Sequence, residues 1–434
     1  MNARETLKIN NKNHLEIGGV DCVNLTKTYG TPLYVMDQTY VENMCKIFDK
    51  TLKDEYGDGL ICYASKAFSC KEMYRIVNNC GIGADVVSGG ELFTAKQVDF
   101  PMDKICFHGN NKSKDELTLA VNYGVKYIVL DSYSEVDDLD EICSNSGKIQ
   151  SVLIRVNPGV EAHTHHYIQT AKIDSKFGFS ICNGDAENIV KYVKSKKNLS
   201  LDGLHCHIGS QIFENKSFFI AVEKMTDFYK FLKDEYNFEF SVLNMGGGFG
   251  IWYAEGDAEK SVDGYAEYIK TITSALIDAV NKKNIRKPFL ILEPGRSIVG
   301  EAGITLYNVG RIKEIKKVKN YLSVNGGMFE NPRFALYQAK YTAVAVEKMG
   351  VKPTEKYTIA GKCCESGDVI IEDAMLPKMQ EGDILAVLST GAYNYSMSSN
   401  YNRNLVPPVV MVKDGDSRII VRPQTYEDII RNDV

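Results

Sequence analysis

Eight short apolar runs constrain the fold of this chain more than any other feature. They alternate with amphipathic helical patterns, of which 113–124, 215–236 and 263–283 are examples. The runs are GLICYASKA (59–67), GADVVS (83–88), ICFHGN (105–110), YIVLDS (127–132), SVLIRVNPG (151–159), SLDGLHCHIGS (200–210), SVLNMGGGFG (241–250) and PFLILEPGR (288–296). Strands that alternate with helices predict a parallel sheet, and eight such units match a (β/α)8 barrel. An open doubly wound sheet fits less well, because no GxGxxG follows the first run.

The rest of the chain has a different pattern. Strands are predicted at YTAVAVEK (341–348), KYTIAGK (356–362), DILAVLS (383–389) and VVMVKDGDSRIIV (409–421), the last with a hairpin turn at Asp414-Gly415. The first 36 residues also look strand-like, and GTPLYVMD (30–37) leads into a helical stretch. We therefore predict an α/β protein with a (β/α)8 TIM barrel over residues 37–300. A mainly β domain of sandwich or barrel type would comprise residues 1–36 and 301–434.

Composition excludes several classes of function. The net charge is −5 and no long basic block is present, so nucleic acid is not an expected partner. No apolar run reaches the roughly 20 residues that span a bilayer, and the polar amino terminus does not resemble a signal peptide. The 11 cysteines are scattered without a CxxC pair, which argues against a zinc site or a disulfide framework and favours a reducing cytoplasm.

Polar residues collect at the ends of the predicted barrel strands, where active sites of such barrels lie. They are Lys66, Asp85, Ser88, His108, Asn110, Arg155, Asn157, His205, His207, Ser210, Gly246, Gly247, Gly248, Glu293, Gly295 and Arg296. A lysine amine can form a Schiff base with an aldehyde. Three consecutive glycines suit a phosphate, and an acid can hold a protonated pyridine nitrogen. Pyridoxal 5′-phosphate (PLP) needs all three groups together.

Each of these residues also has an ordinary structural interpretation. Lys66 can end its strand and extend its ammonium to solvent. The glycine run can be a tight turn, and Glu293 can cap a helix. The set of strand ends carries more weight than any single one of them.

With these residues at its strand ends, the chain resembles the diaminopimelate decarboxylases, within the alanine-racemase-like group of PLP enzymes. The resemblance runs from about residue 30 to residue 428. Its motifs are YASKAF (63–68), ADVVSGGEL (84–92), THHYIQT (164–170), SKFG (175–178), HCHIGSQI (205–212), NMGGGFG (244–250), EPGRSIVG (293–300), NGGMFENPRFALYQA (325–339), CESGD (364–368), GAYNYSMSSNYN (391–402) and TYED (425–428). It implies PLP-dependent decarboxylation of meso-2,6-diaminopimelate to L-lysine, the last step of lysine biosynthesis.

The resemblance also implies residue roles. Lys66 would bind the cofactor aldehyde, His207 would stack on the ring, and Glu293 would pair with its nitrogen. The remaining cofactor contacts would be Asp85, Ser210, Gly246, Gly247, Gly248, Gly295, Arg296 and Tyr393. The retained substrate carboxylate would be bound by Arg296, Arg333 and Tyr337, with Tyr393 also touching substrate. Cys364 would be the general acid and Glu365 would read the distal amino acid group, both entering the partner subunit's site in an obligate homodimer.

Two positions depart from the family pattern. Phe68 stands where asparagine is common, and Asn325 stands where aspartate is usual. Neither change removes a catalytic group, but either can alter how the loops of the site are held.

Three other interpretations stay open. A related decarboxylase could act on ornithine, arginine, D-lysine or carboxynorspermidine, although paired arginines with Glu365 favour diaminopimelate. A catalytically dead binding protein would have lost Lys66, Glu293 or Cys364, and all three are present. A Schiff-base aldolase without PLP would leave Glu293 and the second domain unexplained.

Overall fold

The computed structural model describes residues 7–160 and 175–434. The chain divides into two compact units. The first, which we call the barrel unit, comprises Met44–Gly250 and Lys260–Ser297. The second, the β unit, comprises Met1–Asn43, Ile251–Glu259 and Ile298–Val434. The stretch THHYIQT at 164–170 lies outside the described residues.

The barrel unit contains a closed sheet of eight parallel strands. In chain order, strands one to eight are Gly59–Ala64, Gly83–Val86, Ile105–Phe107, Tyr127–Leu130, Gln150–Asn157, Leu199–His205, Val242–Asn244 and Phe289–Leu292. Each strand pairs with its neighbour in the chain, and strand eight pairs with strand one, which closes the barrel. A short strand, Phe179–Ser180, adds to strand five. All eight apolar runs contain one strand each, so the predicted barrel is confirmed.

Helices follow the barrel strands, and the three helical stretches predicted at 113–124, 215–236 and 263–283 are among them. They are Lys71–Asn79, Gly89–Lys96, Lys114–Tyr123, Tyr133–Ser146, Asp185–Lys194, Asn215–Tyr236, Ala266–Lys283 and Arg296–Val299. The helix Gln38–Glu55 precedes strand one. Ser113 and Glu116 form a reciprocal capping box at one helix start, and Gly124 ends that helix in a left-handed conformation. Local sequence signals therefore fix where these helices begin and end.

The β unit contains two sheets. The small one joins Leu7–Ile9, Leu15–Ile17 and Val20–Asp21. The larger one contains Leu33–Asp37, Gly303–Ile315, Lys319–Val324, Ala343–Ala345, Glu355–Ala360, Val369–Leu376, Ile384–Leu388, Val409–Lys413 and Asp416–Val421. Its helices are Cys22–Tyr29, Arg333–Tyr337 and Tyr426–Ile430. The predicted mainly β character is confirmed.

The β unit also differs from the sequence prediction in detail. Residues Cys22–Tyr29 form a helix within the supposedly strand-like start, because the Asp21 side chain accepts a hydrogen bond from the Val23 amide and caps it. The strand Gly303–Ile315 was not predicted. Its second half is charged and exposed, so the apolar pattern stops before the strand does. The hairpin at Asp414-Gly415 is present, with φ values of 51° and 87° that suit such a turn.

Among the described residues, no helix combines the length and apolar character that a membrane crossing requires.

Candidate active site

The end of strand one presents Lys66 between two buried neighbours. Residues Ser65–Ala67 form a single 3₁₀ turn directly after the strand. Ser65 and Ala67 are buried, whereas Lys66 is exposed. The Ser65 hydroxyl donates a hydrogen bond of 2.7 Å to the backbone oxygen of Asp85 at strand two. This bond ties the two strand ends together and fixes the backbone from which the lysine extends.

Glu293, the residue after strand eight, is buried and surrounded by hydrogen-bond donors. Its Oε1 accepts from Asn244 Nδ2 at 2.6 Å and lies 2.7 Å from His108 Nε2. Its Oε2 lies 3.4 Å from His205 Nε2. A buried carboxylate is costly unless it is paired, and these three side chains from strands three, six and seven supply the pairing. Strand closure thus brings together residues up to 185 positions apart in the chain.

The electrostatics of this cluster favour the ionised form of Glu293. Burial alone would raise the pKa of Glu293, but the charge of His108 and the hydrogen bonds of His108 and His205 lower it well below its usual value. Burial raises the pKa of the neighbouring Asp85, and His108 only partly offsets this. Burial lowers the pKa of His205 to about 3, so that ring is neutral at pH 7. Glu293 is therefore held as a carboxylate at the ends of the strands.

The glycine run after strand seven is required by backbone packing. A Cβ on Gly247 would lie 2.1 Å from the backbone oxygen of Glu293, and one on Gly248 would lie 2.2 Å from that of Gly209. Gly246 and Gly248 also have φ values of 65° and 101°. The Gly246 amide donates to Asn244 Oδ1 at 2.9 Å, and the Gly247 amide donates weakly to His207 Nδ1 at 3.4 Å. The run therefore lets the loops after strands six, seven and eight approach one another.

The other barrel residues singled out in the sequence lie in the same loops. His207 is half-buried, and burial lowers its pKa well below the usual value. Arg296 is buried at the start of the helix Arg296–Val299, and its Nη2 donates to Ser210 Oγ at 2.9 Å. Gly295 packs against Ala64, where a Cβ would approach the Ala64 Cβ to 2.8 Å. The structure thus brings the predicted barrel residues to the carboxyl ends of their strands.

The β unit holds a buried arginine in an aromatic setting. Arg333 is 8% exposed and begins the helix Arg333–Tyr337. Its Nη1 donates to the Tyr341 hydroxyl at 2.7 Å, and its guanidinium lies 4.9 Å from the centre of the Tyr253 ring. The Asn394 amide also donates to the Tyr341 hydroxyl, at 3.2 Å. Within residues 7–160 and 175–434, no carboxylate forms an ion pair with Arg333, which suits it to bind an anionic ligand.

The remaining predicted residues of the β unit lie on loops and a helix end. Cys364 and Glu365 are exposed in the loop between Glu355–Ala360 and Val369–Leu376. The Cys364 amide donates to Asn402 Oδ1 at 2.8 Å, which orders this part of the loop. Tyr337 ends its helix and is half-buried. Tyr393 is half-buried with a φ of 62°.

The carboxylates that shape these β-unit loops were not identified in the sequence. Asp368 accepts from the Met328 and Cys363 amides at 2.6 and 2.7 Å, which joins the NGGMFENPR and CESGD segments. Glu330 is fully buried and accepts from the Gly327 amide and the Tyr307 hydroxyl. Both acids lie in segments whose motifs were recognised. Each acid also has a partner that is distant in sequence, Met328 for Asp368 and Tyr307 for Glu330, and no local pattern indicated those contacts.

The two departures from the family pattern have structural roles. Asn325 donates from Nδ2 to both the backbone oxygen and the hydroxyl of Thr31 at 2.8 Å, which a carboxylate cannot do. Phe68 is 1% exposed, and its backbone oxygen accepts from the Tyr63 hydroxyl at 2.9 Å. Both residues hold loops rather than donate groups to the cluster around Glu293.

The fold and the barrel cluster define a class of enzyme. The family described as pyridoxal-dependent decarboxylase, pyridoxal binding domain, matches residues 41–300. The chain is 47% identical to a diaminopimelate decarboxylase of Halalkalibacterium halodurans and 46% identical to that of Bacillus subtilis. Both matches cover 99% of this chain and 97% of the relative. The chain belongs to the diaminopimelate decarboxylase family of pyridoxal-dependent decarboxylases.

Solved structures agree with this assignment. The diaminopimelate decarboxylase of M. jannaschii in co-complex with L-lysine has a TM-score of 0.90 and 34% sequence identity. The match covers 99% of this chain and 98% of that one. The diaminopimelate decarboxylase of Helicobacter pylori complexed with L-lysine has a TM-score of 0.85 and 29% identity, over 95% of this chain and 98% of that one.

The barrel mouth fits the cofactor of this family, pyridoxal phosphate. Two buried polar atoms there, Asp85 Oδ1 and His205 Nδ1, have no hydrogen-bond partner within the described part of the chain. Unpartnered buried polar atoms are expected where a polar ligand completes the site. A lysine, an ionised buried acid and a side-chain-free glycine loop surround the same strand ends. These are the groups that PLP chemistry requires.

Proposed function

We propose that the chain catalyses the PLP-dependent decarboxylation of meso-2,6-diaminopimelate to L-lysine and CO2, the last step of lysine biosynthesis. The observation that carries this is the buried, ionised Glu293 at the end of a barrel whose strand one ends in Lys66. Near-full-length identity of 46–47% to diaminopimelate decarboxylases supports the choice of substrate.

Residues of the barrel unit, together with Tyr393, would hold the cofactor. Lys66 would bind its aldehyde, His207 would face its ring, and Asp85 would lie beside it. Its phosphate would be bound by Ser210, Gly246, Gly247, Gly248, Gly295, Arg296 and Tyr393. When bound, PLP supplies an electron sink for the electron pair left on the carbon that loses CO2.

The chain's own groups would manage charge and protons. Glu293, kept ionised by its donors, would favour a proton on the pyridine nitrogen by charge pairing. Loss of CO2 leaves an electron pair on the α-carbon, so a proton must be delivered there. Cys364 has an exposed thiol that can deliver it, and such general acids contribute about 10²–10⁴-fold.

Substrate selection would depend on charge at both ends of the molecule. Arg296, Arg333 and Tyr337 would bind the carboxylate that is retained, because guanidinium groups bind carboxylates through parallel hydrogen bonds. Glu365 would pair with the distal ammonium, and Tyr393 would contact the substrate as well. A diamine precursor without the distal carboxylate would leave the buried Arg333 unpaired.

The proposal extends to domains, assembly and location. Residues 37–300 would form the cofactor-binding domain, which the family match at 41–300 supports, and residues 1–36 with 301–434 the β domain. Cys364 and Glu365 would enter the site of the partner subunit in a homodimer, which their exposure supports. A cytoplasmic location is supported by 11 cysteines that are all free thiols.

The test measures lysine release from meso-diaminopimelate by purified protein, with and without added PLP, and with ornithine and D-lysine as parallel substrates. We expect PLP-dependent lysine formation and little amine from the other two. Preference for ornithine or D-lysine would overturn the roles of Arg333 and Glu365 while leaving the decarboxylase chemistry in place. Bound PLP without turnover of any substrate would overturn the catalytic proposal in favour of a binding protein.

A further inference from the structure

We propose that His108 and Asn244 are positioning residues that together hold the Glu293 carboxylate in one orientation. The inference rests on the proposed PLP chemistry, in which Glu293 pairs with the ring nitrogen. His108 and Asn244 both direct a donor at the same oxygen, Glu293 Oε1.

The donor at Asn244 is fixed by its other contact. Asn244 Oδ1 accepts from the Gly246 amide at 2.9 Å, and a backbone amide can only donate. The Nδ2 group of Asn244 must therefore face Glu293, as its 2.6 Å contact requires. Asn244 is fully buried, and its two hydrogen bonds link the glycine run to Glu293. Movement of the glycine run would therefore displace the Glu293 carboxylate.

The tautomer at His108 is fixed by the acid. An ionised carboxylate only accepts hydrogen bonds, so His108 Nε2 must carry the hydrogen at 2.7 Å from Glu293 Oε1. The same nitrogen lies 3.9 Å from Asp85 Oδ1, beyond hydrogen-bond distance. His108 thus donates a hydrogen bond to Glu293 and not to Asp85. This agrees with the lowered pKa of Glu293 and the raised pKa of Asp85.

The contact between His108 and Glu293 is shorter than the spacing of two ligands on one metal ion. His108, His205 and Glu293 present ligand atoms within 4.8 Å of one another. Tetrahedral zinc bonds of about 2.1 Å would separate two ligand atoms by about 3.4 Å. The 2.7 Å between His108 Nε2 and Glu293 Oε1 is instead a hydrogen-bond distance. The cluster is a proton-bearing network around an acid.

The experiment compares purified holoenzymes carrying His108→Phe, His108→Gln, Glu293→Gln and the double change His108→Phe with Glu293→Gln. The rate of PLP loss after dilution and the visible absorption band of the bound cofactor are measured beside kcat and KM. Thermal melting of each holoenzyme verifies folding. His108→Gln is the matched control, because a glutamine Nε2 can donate to Glu293 where a phenylalanine cannot.

We expect His108→Phe to speed PLP loss by about 10- to 100-fold, as loss of a supporting partner does at other bound groups. It should also shift the absorption band and lower kcat more than it changes KM. The rate of PLP loss from His108→Gln should stay within about threefold of the wild-type rate. In the Glu293→Gln background, His108→Phe should speed PLP loss by less than about threefold further, because His108 acts on the cofactor only by positioning Glu293.

A second arm tests Asn244. Asn244→Asp keeps the acceptor for the Gly246 amide but places a second carboxyl 2.6 Å from Glu293, so the two acids must share one proton and Glu293 no longer carries a full charge. We therefore expect PLP loss to accelerate as in His108→Phe. The inference would be overturned if His108→Phe speeds PLP loss equally in wild type and in Glu293→Gln. A wild-type rate of PLP loss in Asn244→Asp would overturn it as well. If wild-type protein binds no PLP, the proposed function fails and the inference with it. If wild type binds PLP and releases lysine while both changes are silent, only the inference fails.

Discussion

The barrel mouth and the loops of the β unit hold their functional groups in different ways. In the barrel, the groups follow neighbouring strands of one closed sheet, and buried hydrogen bonds around Glu293 connect them. Among the predicted site residues of the β unit, Cys364 and Glu365 are exposed on a loop, whereas Arg333 is buried. A closed barrel specifies a site through its strand order. A loop site depends on additional bonds, here those of Asp368 and Asn402.

The largest expected effect tests the barrel side of this comparison. Lys66→Ala should lower lysine release by about 10³-fold or more, because no other group described at the strand ends supplies a primary amine in its place. The fold should persist, since the Lys66 side chain is exposed. Activity and thermal melting check both statements. Lys71→Ala, which changes an exposed lysine of the next helix, is the control, and full activity in Lys66→Ala would refute the role.

The next effect tests the exposed loop of the β unit. Cys364→Ala should lower kcat by about 10²–10⁴-fold with a smaller change in KM, because the proton donor is lost. Steady-state kinetics with meso-diaminopimelate measure it. Cys182→Ala removes another exposed thiol and should leave kcat unchanged. Equal kinetics for the two variants would show that the loop does not supply the proton.

A smaller effect concerns the buried arginine of the β unit. Arg333→Lys should raise KM for meso-diaminopimelate by about 10- to 100-fold, because lysine cannot make the bidentate contact. Tyr341→Phe removes the oxygen that receives Arg333 Nη1 and should raise KM about fivefold. Arg311→Lys alters an exposed arginine and serves as the control. An unchanged KM in Arg333→Lys would exclude Arg333 from substrate binding.

The smallest effects appear in stability against pH, and the two units should respond in opposite directions. Burial raises the pKa of Glu330 to about 8, so between pH 4.5 and 8 the unfolded chain binds fewer protons than the folded one. Stability from this group then falls as pH rises, by up to about 1.4 kcal/mol per unit. His205 has a pKa lowered to about 3, so its contribution falls as pH drops below 6.5.

Melting temperatures of holoenzyme from pH 5 to 8.5 measure both slopes. Glu330→Gln should flatten the alkaline slope relative to wild type, whereas Glu314→Gln, an exposed acid, should not. His205→Gln should flatten the acid slope. Parallel curves for wild type and Glu330→Gln would mean that Glu330 titrates normally in the folded protein.

The sequence by itself determined the local structure and the residues at the strand ends. Each barrel strand is a short apolar run followed by helix-starting residues, and these signals act between near neighbours. Asp414-Gly415 fixed its hairpin for the same reason. Lys66, the glycine run and Glu293 could be singled out because barrel strands all end on one face.

Only the tertiary structure decided which side chains meet there. The 2.7 Å contact of His108 with Glu293 spans 185 residues, and no local pattern encodes it. The strand Leu33–Asp37 lies between Gly303–Ile315 and Val409–Lys413, antiparallel to one and parallel to the other. The close packing of Gly247 on Glu293 likewise depends on the pairing of strands seven and eight. Pairing between distant segments follows from the packing of the whole sheet, which periodicity within a short window does not contain.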